Sequence, residues 1–381
     1  MRRLWNVRAC AAALLFLPLL LNSCAPTRPV RPPRPVVPVP PPPTAPPLPP
    51  VPARVREIRA VWVSDTTRLD WPGATSALCQ AGFNTMYVNL ASGGAAFYPR
   101  SALLPSLVSR DDLTRGIALA HQRGIAVHAK VIATFLFKAP PDFQQKLIRA
   151  DRVMRGPDGR PVLQSGQAWL CPSQMANRDL VGDAVREILT RYPVDGLQLD
   201  YIRFCEQPSC CCANCRREFE QGLGRSVKRW PGDVLGGEFT GPFIQWKQQV
   251  INGWMRAISE TARRARPGVI VSAAVFPELN RAREEKAQDW KLWLDRGWTD
   301  HVVTMTYSTD LREFEARIRN EQMVAPRGRI VIGIASWKLQ RQNDLWNHIG
   351  IVRRLDAPGF ALFSYDDCAA RGFLPQLGSN R

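Results

Sequence analysis

From Ile58 onward, apolar runs of strand length alternate with longer stretches whose apolar positions recur at helical spacing. Ile58–Val63 is a β-branched run, and Gly82–Leu90 is a second that opens into Gly93-Gly94. Ile125–Ile132 is the third. In the fourth, Val194–Asp200, apolar residues alternate with polar or small ones, and Gly196 leaves room for a neighbouring backbone. Val269–Val275, His301–Tyr307, Arg329–Ala335 and Gly359–Tyr365 complete the set. Helical spacing predicts helices around Gly73–Gln80, Asp111–Arg123, Arg178–Arg191, Phe243–Arg266, Glu284–Arg296 and Asp310–Asn320, with one more between the last two strands. Several strands are near-continuous apolar runs, as parallel strands covered on both faces are. Eight strands alternating with helices is the count of a (β/α)8 TIM barrel. Two insertions break the rhythm: a Gly- and Pro-punctuated stretch from Ala139 to about Asn177 after the third strand, and a cysteine-rich one after the fourth. An open doubly wound sheet is the alternative fold, but no Gly-rich phosphate loop follows the first strand.

The N-terminal residues follow neither period. Met1-Arg2-Arg3-Leu4 and Arg8 give a basic start, and Ala9–Leu21 is an apolar run too short to span a bilayer comfortably. Residues 1–23 read as a signal peptide. Leu21-Asn22-Ser23-Cys24 resembles a bacterial lipoprotein signal, in which Cys24 becomes the lipidated first residue, and Ala25 resembles the outer-membrane sorting rule. Of the 29 residues Ala25–Ala53, 15 are proline, which makes a stiff polyproline spacer after the lipidated cysteine. At about 3.1 Å per residue it reaches on the order of 90 Å. The expectation is a barrel domain over 54–381, lipid-anchored to the outer membrane and held off it in the periplasm. The net charge of +18 would point to nucleic acid in a cytoplasmic protein. In this compartment its partners are anionic lipopolysaccharide or carboxylate-bearing wall glycan, and scattered arginines also fit plain compositional bias. Oligomeric state is not legible.

In a barrel the working face is the set of strand C-termini. Those ends carry Asp65, Asn89, His128 with Lys130, Asp200 with Tyr201 and Arg203, Glu278, Tyr307 with Asp310, Trp337, and Tyr365 with Asp366 and Asp367. Aromatic rings stack on pyranose faces, while carboxylates bind hydroxyls and do acid–base work. Glycoside hydrolysis needs two carboxyl groups across the scissile bond. Asp200 is the candidate nucleophile or electrostatic stabiliser. Asp310 is the first choice of acid/base, with Glu278 and Asp366 as alternatives. Trp62, Asp65, Asn89, His128, Lys130, Tyr201, Arg203, Tyr307, Trp337 and Asp366 are expected to contact substrate. Plainer roles exist: Asp310 also stands where a helix cap would, Glu278 in a solvated loop, and His128 among apolar neighbours. No Gly-x-Ser-x-Gly elbow or His-Glu-x-x-His helix supports a serine hydrolase or a zinc protease.

Further motifs carry a family resemblance. They are Glu57–Val63, Gly82-Phe83-Asn84-Thr85, Ala120–Ile125 with Val127-His128-Ala129, Trp169-Leu170-Cys171-Pro172, Tyr192–Arg203 and Met305-Thr306-Tyr307. Together they resemble the bacterial glycosyl-hydrolase-like family 10 from Arg56 to the end, most specifically in Val194-Asp195-Gly196 through Asp200-Tyr201-Ile202-Arg203. The resemblance implies a (β/α)8 glycoside hydrolase with Asp200 as the leading catalytic residue and no cofactor for catalysis. It also implies a wall-glycan substrate, with peptidoglycan strands favoured. Ala91 and Ala95 stand where members often carry an arginine and an aspartate. A catalytically silent glycan-binding lipoprotein is the reading from another class.

Five of the ten cysteines fall between Cys205 and Cys215. Cys210-x-Cys212-x-x-Cys215 has the short spacing of a zinc knuckle, with Cys205 or Cys171 as fourth thiolate. Structural zinc on Cys205, Cys210, Cys212 and Cys215 is the expectation. Disulfides are the alternative in an oxidising periplasm.

Overall fold

The computed structural model describes residues 57–206, 210–325 and 328–378. The expected signal peptide, Cys24 and the proline spacer lie outside the described residues. Eight parallel strands close into a barrel: β1 Ile58–Val63, β2 Thr85–Ser92, β3 Ala126–Ile132, β4 Gly196–Asp200, β5 Ile270–Val275, β6 His301–Thr304, β7 Ile330–Ile334 and β8 Gly359–Leu362. Each pairs with its neighbours in chain order, and β1 closes the ring by pairing with both β2 and β8. Closure depends on Gly359, whose φ is 153° and where a Cβ would stand 2.0 Å from the carbonyl oxygen of Ile58.

Side chains fill the barrel bore, so it is a core and not a pore. Trp62, Tyr87, Ala274, Val303, Val331 and Ala361 pack there. The Trp62 indole N–H donates to Gln198 Oε1 at 2.5 Å, and the Tyr87 hydroxyl lies 3.2 Å from His301 Nε2. Gly196 admits a side chain where the sequence suggested a backbone: a Cβ there would meet the His128 imidazole at 2.4 Å. A larger apolar layer joins the outer faces of the strands to the surrounding helices.

The helices mostly fall where the periodicity places them, with two differences. The expected Glu284–Arg296 helix is two, Leu279–Lys286 and Trp290–Asp295, broken at Ala287, whose φ of 62° no α-helix accommodates. The insertion after β3 holds a helix, Pro141–Arg149, and a two-stranded hairpin, Leu163–Gln164 with Gln167–Ala168. Ser165 and Gly166 turn that hairpin with φ of 50° and 78°, the both-positive pattern of a tight two-residue turn.

Candidate active site

A cleft of about 510 Å³ opens at the C-terminal ends of the strands. Its floor is Trp62 and Ala274, and its walls are mainly aromatic: Phe135, Phe137, Tyr201, Tyr307, Trp337 and Phe363. Asp200 is the one carboxylate among the described residues that line it. β4 delivers this side chain rigidly, with Ile132 of β3 in register beside it. The Lys130 ammonium stands 3.4 Å from Asp200 Oδ2, with both side chains largely buried. Asp200 Oδ1 accepts the backbone N–H of Tyr201 at 2.8 Å.

Tyr201 turns the chain out of the strand. Its φ of 51° lies in the left-handed region, costly for a bulky residue by about 1–3 kcal/mol. The surroundings fix it there: its carbonyl accepts from the Thr134 hydroxyl at 2.6 Å and from the Arg203 N–H at 2.9 Å. The ring then stacks on Phe135, with centroids 5.3 Å apart, and tilts against Trp169. Burial first, and the charge of Asp200 second, raise the Tyr201 hydroxyl above its ordinary pKa. The same two causes raise Tyr307 further.

The expected substrate contacts separate by depth. Trp62, Lys130, Tyr201, Tyr307 and Trp337 line the cleft, and Trp337 is 44% exposed at its rim. Arg203 is buried behind the wall, its guanidinium 4.8 Å over Trp169 and 4.7 Å over Tyr201, so it supports the aromatic stack. Asn89 is buried and donates to the Ser64 carbonyl at 3.3 Å, knitting β1 to β2 below the cleft. His128 is also interior. Burial, then the neighbouring His301, push its pKa down to about 3, which leaves it neutral. Asp65 pairs with Lys138 at 2.7 Å, outside the cleft lining. Burial opposes its ionisation, but the bonds from Lys138 and Thr67 outweigh that and lower its pKa.

The structure does not bring Asp310, Glu278 or Asp366 into the cleft lining. Asp310 is exposed and caps the helix Leu311–Val324, accepting the Glu313 N–H at 2.8 Å. Glu278 precedes the helix Leu279–Lys286 and lies within 4.0 Å of Arg281 and 3.9 Å of Arg317. Asp366 sits in the first turn of the helix that follows β8, and its pKa is raised by burial, then by Asp367 and Asp65. Ala91 near the end of β2 and Ala95 on the short return strand Ala95–Ala96 are fully buried, and neither lines the cleft.

The cysteines also regroup. Cys171, Cys210, Cys212 and Cys215 form one buried cluster, and Cys205 stands outside it with its thiol toward the Glu206 carbonyl at 3.3 Å. The knuckle spacing located three of the four. The fourth is Cys171 from the preceding insertion, the alternative to the expected Cys205; local spacing could not decide between the two. Gln164, Ser165 and Gln167 are cleft residues that the sequence reading passed over. Their signal is the Ser165-Gly166 turn dipeptide flanked by matched strand residues.

A (β/α)8 barrel with a rigidly held carboxylate inside an aromatic cleft at its C-terminal face is built in the manner of carbohydrate-handling barrels. The chain belongs to the glycosyl hydrolase-like 10 family, whose signature matches residues 57–346. It is 23% identical over 341 residues to glycosyl hydrolase DigH of Escherichia coli (strain K12), covering 74% of each chain. It is 19% identical over 291 residues to glycosyl hydrolase YngK of Bacillus subtilis (strain 168), covering 66% of this chain and 54% of that protein. Its fold is similar to the PgaB (BpsB) glycoside hydrolase domain from Bordetella bronchiseptica, with a TM-score of 0.68 at 14% identity over 85% of this chain and 98% of that one.

Proposed function

We propose that the chain is a glycoside hydrolase acting on a bacterial cell-wall glycan, with peptidoglycan strands as the favoured substrate. The observation that carries this is Asp200, fixed at the end of β4 beside Lys130 in a cleft walled by aromatic rings. A pyranose stacked on Tyr201 or Trp337 would present its anomeric carbon or its hydroxyls to that carboxylate. Asp200 acts as nucleophile or as stabiliser of the oxocarbenium-like charge. Of the three second carboxylates considered, Asp366 fits the acid best, because its pKa is raised and the other two are engaged elsewhere. Such catalysis uses the chain's own carboxylates and needs no cofactor. The Cys24 motif and proline spacer support a lipid-anchored enzyme reaching from the outer membrane into the periplasmic wall.

One observation favours the second reading, a silent glycan-binding protein: a single described carboxylate lines the cleft. The two part in one experiment. Purified glycan strands, with and without stem peptides, are incubated with wild type and Asp200→Asn, and soluble products are read by mass spectrometry. Fragments from wild type alone support the hydrolase. Retention of strands by both proteins without fragments supports the binder and ends the hydrolase reading.

A further inference from the structure

The cysteine cluster joins the two insertions that build one wall of the cleft. Cys171 lies in the last part of the insertion after β3, two residues beyond Trp169, and Cys210, Cys212 and Cys215 follow the Tyr201–Arg203 turn after β4. All four sulfurs lie within 4.8 Å of one another, and all four residues are buried. Cys171 Sγ stands 3.5 Å from Cys212 Sγ, 3.5 Å from Cys215 Sγ and 3.8 Å from Cys210 Sγ. A disulfide requires about 2.05 Å. Four thiolates at the usual Zn–S distance of about 2.3 Å define a tetrahedron with edges of about 3.8 Å. The observed separations match the tetrahedron. Two disulfides would instead contract two pairs and push the others apart.

The surroundings suit thiolates. Backbone N–H groups point at sulfur from Arg155 to Cys210 at 3.2 Å and from Cys215 to Cys212 at 3.4 Å. The Ser173 hydroxyl lies 3.0 Å from Cys171 Sγ and 3.3 Å from Cys215 Sγ. Such contacts hold and tune metal-bound sulfur. A zinc ion with four thiolates carries a net charge of about −2, which needs an answering cation in an apolar setting. Lys247 supplies one. It is buried, its ammonium 5.7 Å from the centre of the Phe204 ring and 5.4 Å from that of Phe243, and Phe204 immediately precedes the cysteine-rich segment.

We propose that Cys171, Cys210, Cys212 and Cys215 bind one structural zinc ion that staples the insertions after β3 and β4 together. The site is closed and all-sulfur, so it takes no part in chemistry on a substrate. Its effect is on shape: it sets the distance between the segment carrying Trp169 and the turn carrying Tyr201 and Arg203. The inference is independent of whether the cleft hydrolyses or only binds a glycan.

The test begins with the full-length chain, purified anaerobically from zinc-replete cells and analysed for metal. About one zinc per chain is expected, and Cys205→Ser retains it while Cys171→Ser loses most of it. Cobalt substitution is expected to give the visible bands and thiolate charge transfer of tetrahedral sulfur coordination. Stripping the metal is expected to speed hydrogen exchange in 152–174 and 201–215 while β1 and β2 stay protected. Wild type purified without zinc, or a denatured non-reduced mass spectrum showing disulfides among these four cysteines, overturns the proposal. Neither result depends on a variant folding.

Discussion

Asp200 and Asp366 are both strand-end carboxylates, yet their surroundings prepare them for different tasks. Asp200 has an ammonium at 3.4 Å and a backbone N–H at 2.8 Å, two donors that fix the carboxylate's position in the cleft. Asp366 faces Asp367 and Asp65, like charges that, after burial, favour its protonated form. A carboxyl that its surroundings keep protonated is what a general acid needs. Asp366→Asn is therefore expected to lower kcat by about 10²–10⁴-fold, the usual contribution of a general acid, and to remove the alkaline limb of the pH–rate profile. A variant with unchanged kcat and the same alkaline limb would rule Asp366 out. Asp200 was legible from the sequence because a carboxylate ending an apolar strand leaves a local trace. The Cys171 partnership was legible only as an alternative to Cys205, because the choice depends on how two insertions fold against each other. The neutral role of His128 was half legible: its apolar neighbours announced burial, but not that Gly196 makes room for the ring.

At the scale of elements, a (β/α)8 chain sets a systematic ambiguity. The strand end that faces the cleft is followed closely by the start of the next helix, where an aspartate is also the preferred cap. Asp310 falls in that interval, and the helix has it: its carboxylate accepts the Glu313 N–H, and Glu313 in turn bonds Ser308 and Arg317. Asp310→Ala is expected to destabilise the fold by about 1 kcal/mol, the usual cost of losing a cap. Denaturant unfolding would show the loss, while kcat and KM on any glycan substrate stay within about twofold. A drop in kcat of a hundredfold at unchanged stability would return Asp310 to the catalytic pair. Barrel strands were legible throughout because burial on both faces writes continuous apolar runs. The insertion after β3 was less so, since its two-residue strands are too short to show a period and its helix begins at a proline pair.

For the whole molecule, burial of ionisable groups inside the barrel layers sets how stability follows pH. His128 and His301 are held neutral, mainly by burial, with pKa values of about 3 and about 4 against 6.5 when unfolded. Depressed histidines contribute stability that is complete above 6.5 and is lost as pH falls toward their folded values. Glu321 behaves oppositely. Its carboxyl is buried behind β6, bonded to the hydroxyls of Thr304 at 2.8 Å and Thr306 at 2.9 Å, and burial raises its pKa from 4.5 to about 8. A raised glutamate contributes stability that is complete below 4.5 and is lost as pH rises through 8. Between 4.5 and 6.5 the two histidines outweigh the one glutamate, so stability climbs; between 6.5 and 8 Glu321 acts without the histidines, and stability falls. The protein is expected to be most stable near pH 6.5, with a decline on the alkaline side of up to about 1.4 kcal/mol per pH unit. Glu321→Gln keeps the shape and the neutral hydrogen bonding but has no proton to lose. Chemical unfolding of both proteins from pH 5 to pH 9 checks this. The variant should climb about twice as steeply between 4.5 and 6.5, where no glutamate offsets the histidines, and then stay level where the wild type declines. A wild type that is flat from 6.5 to 8 would mean that Glu321 is ionised in the fold, which its fully buried bonds to two hydroxyls and no cation make costly.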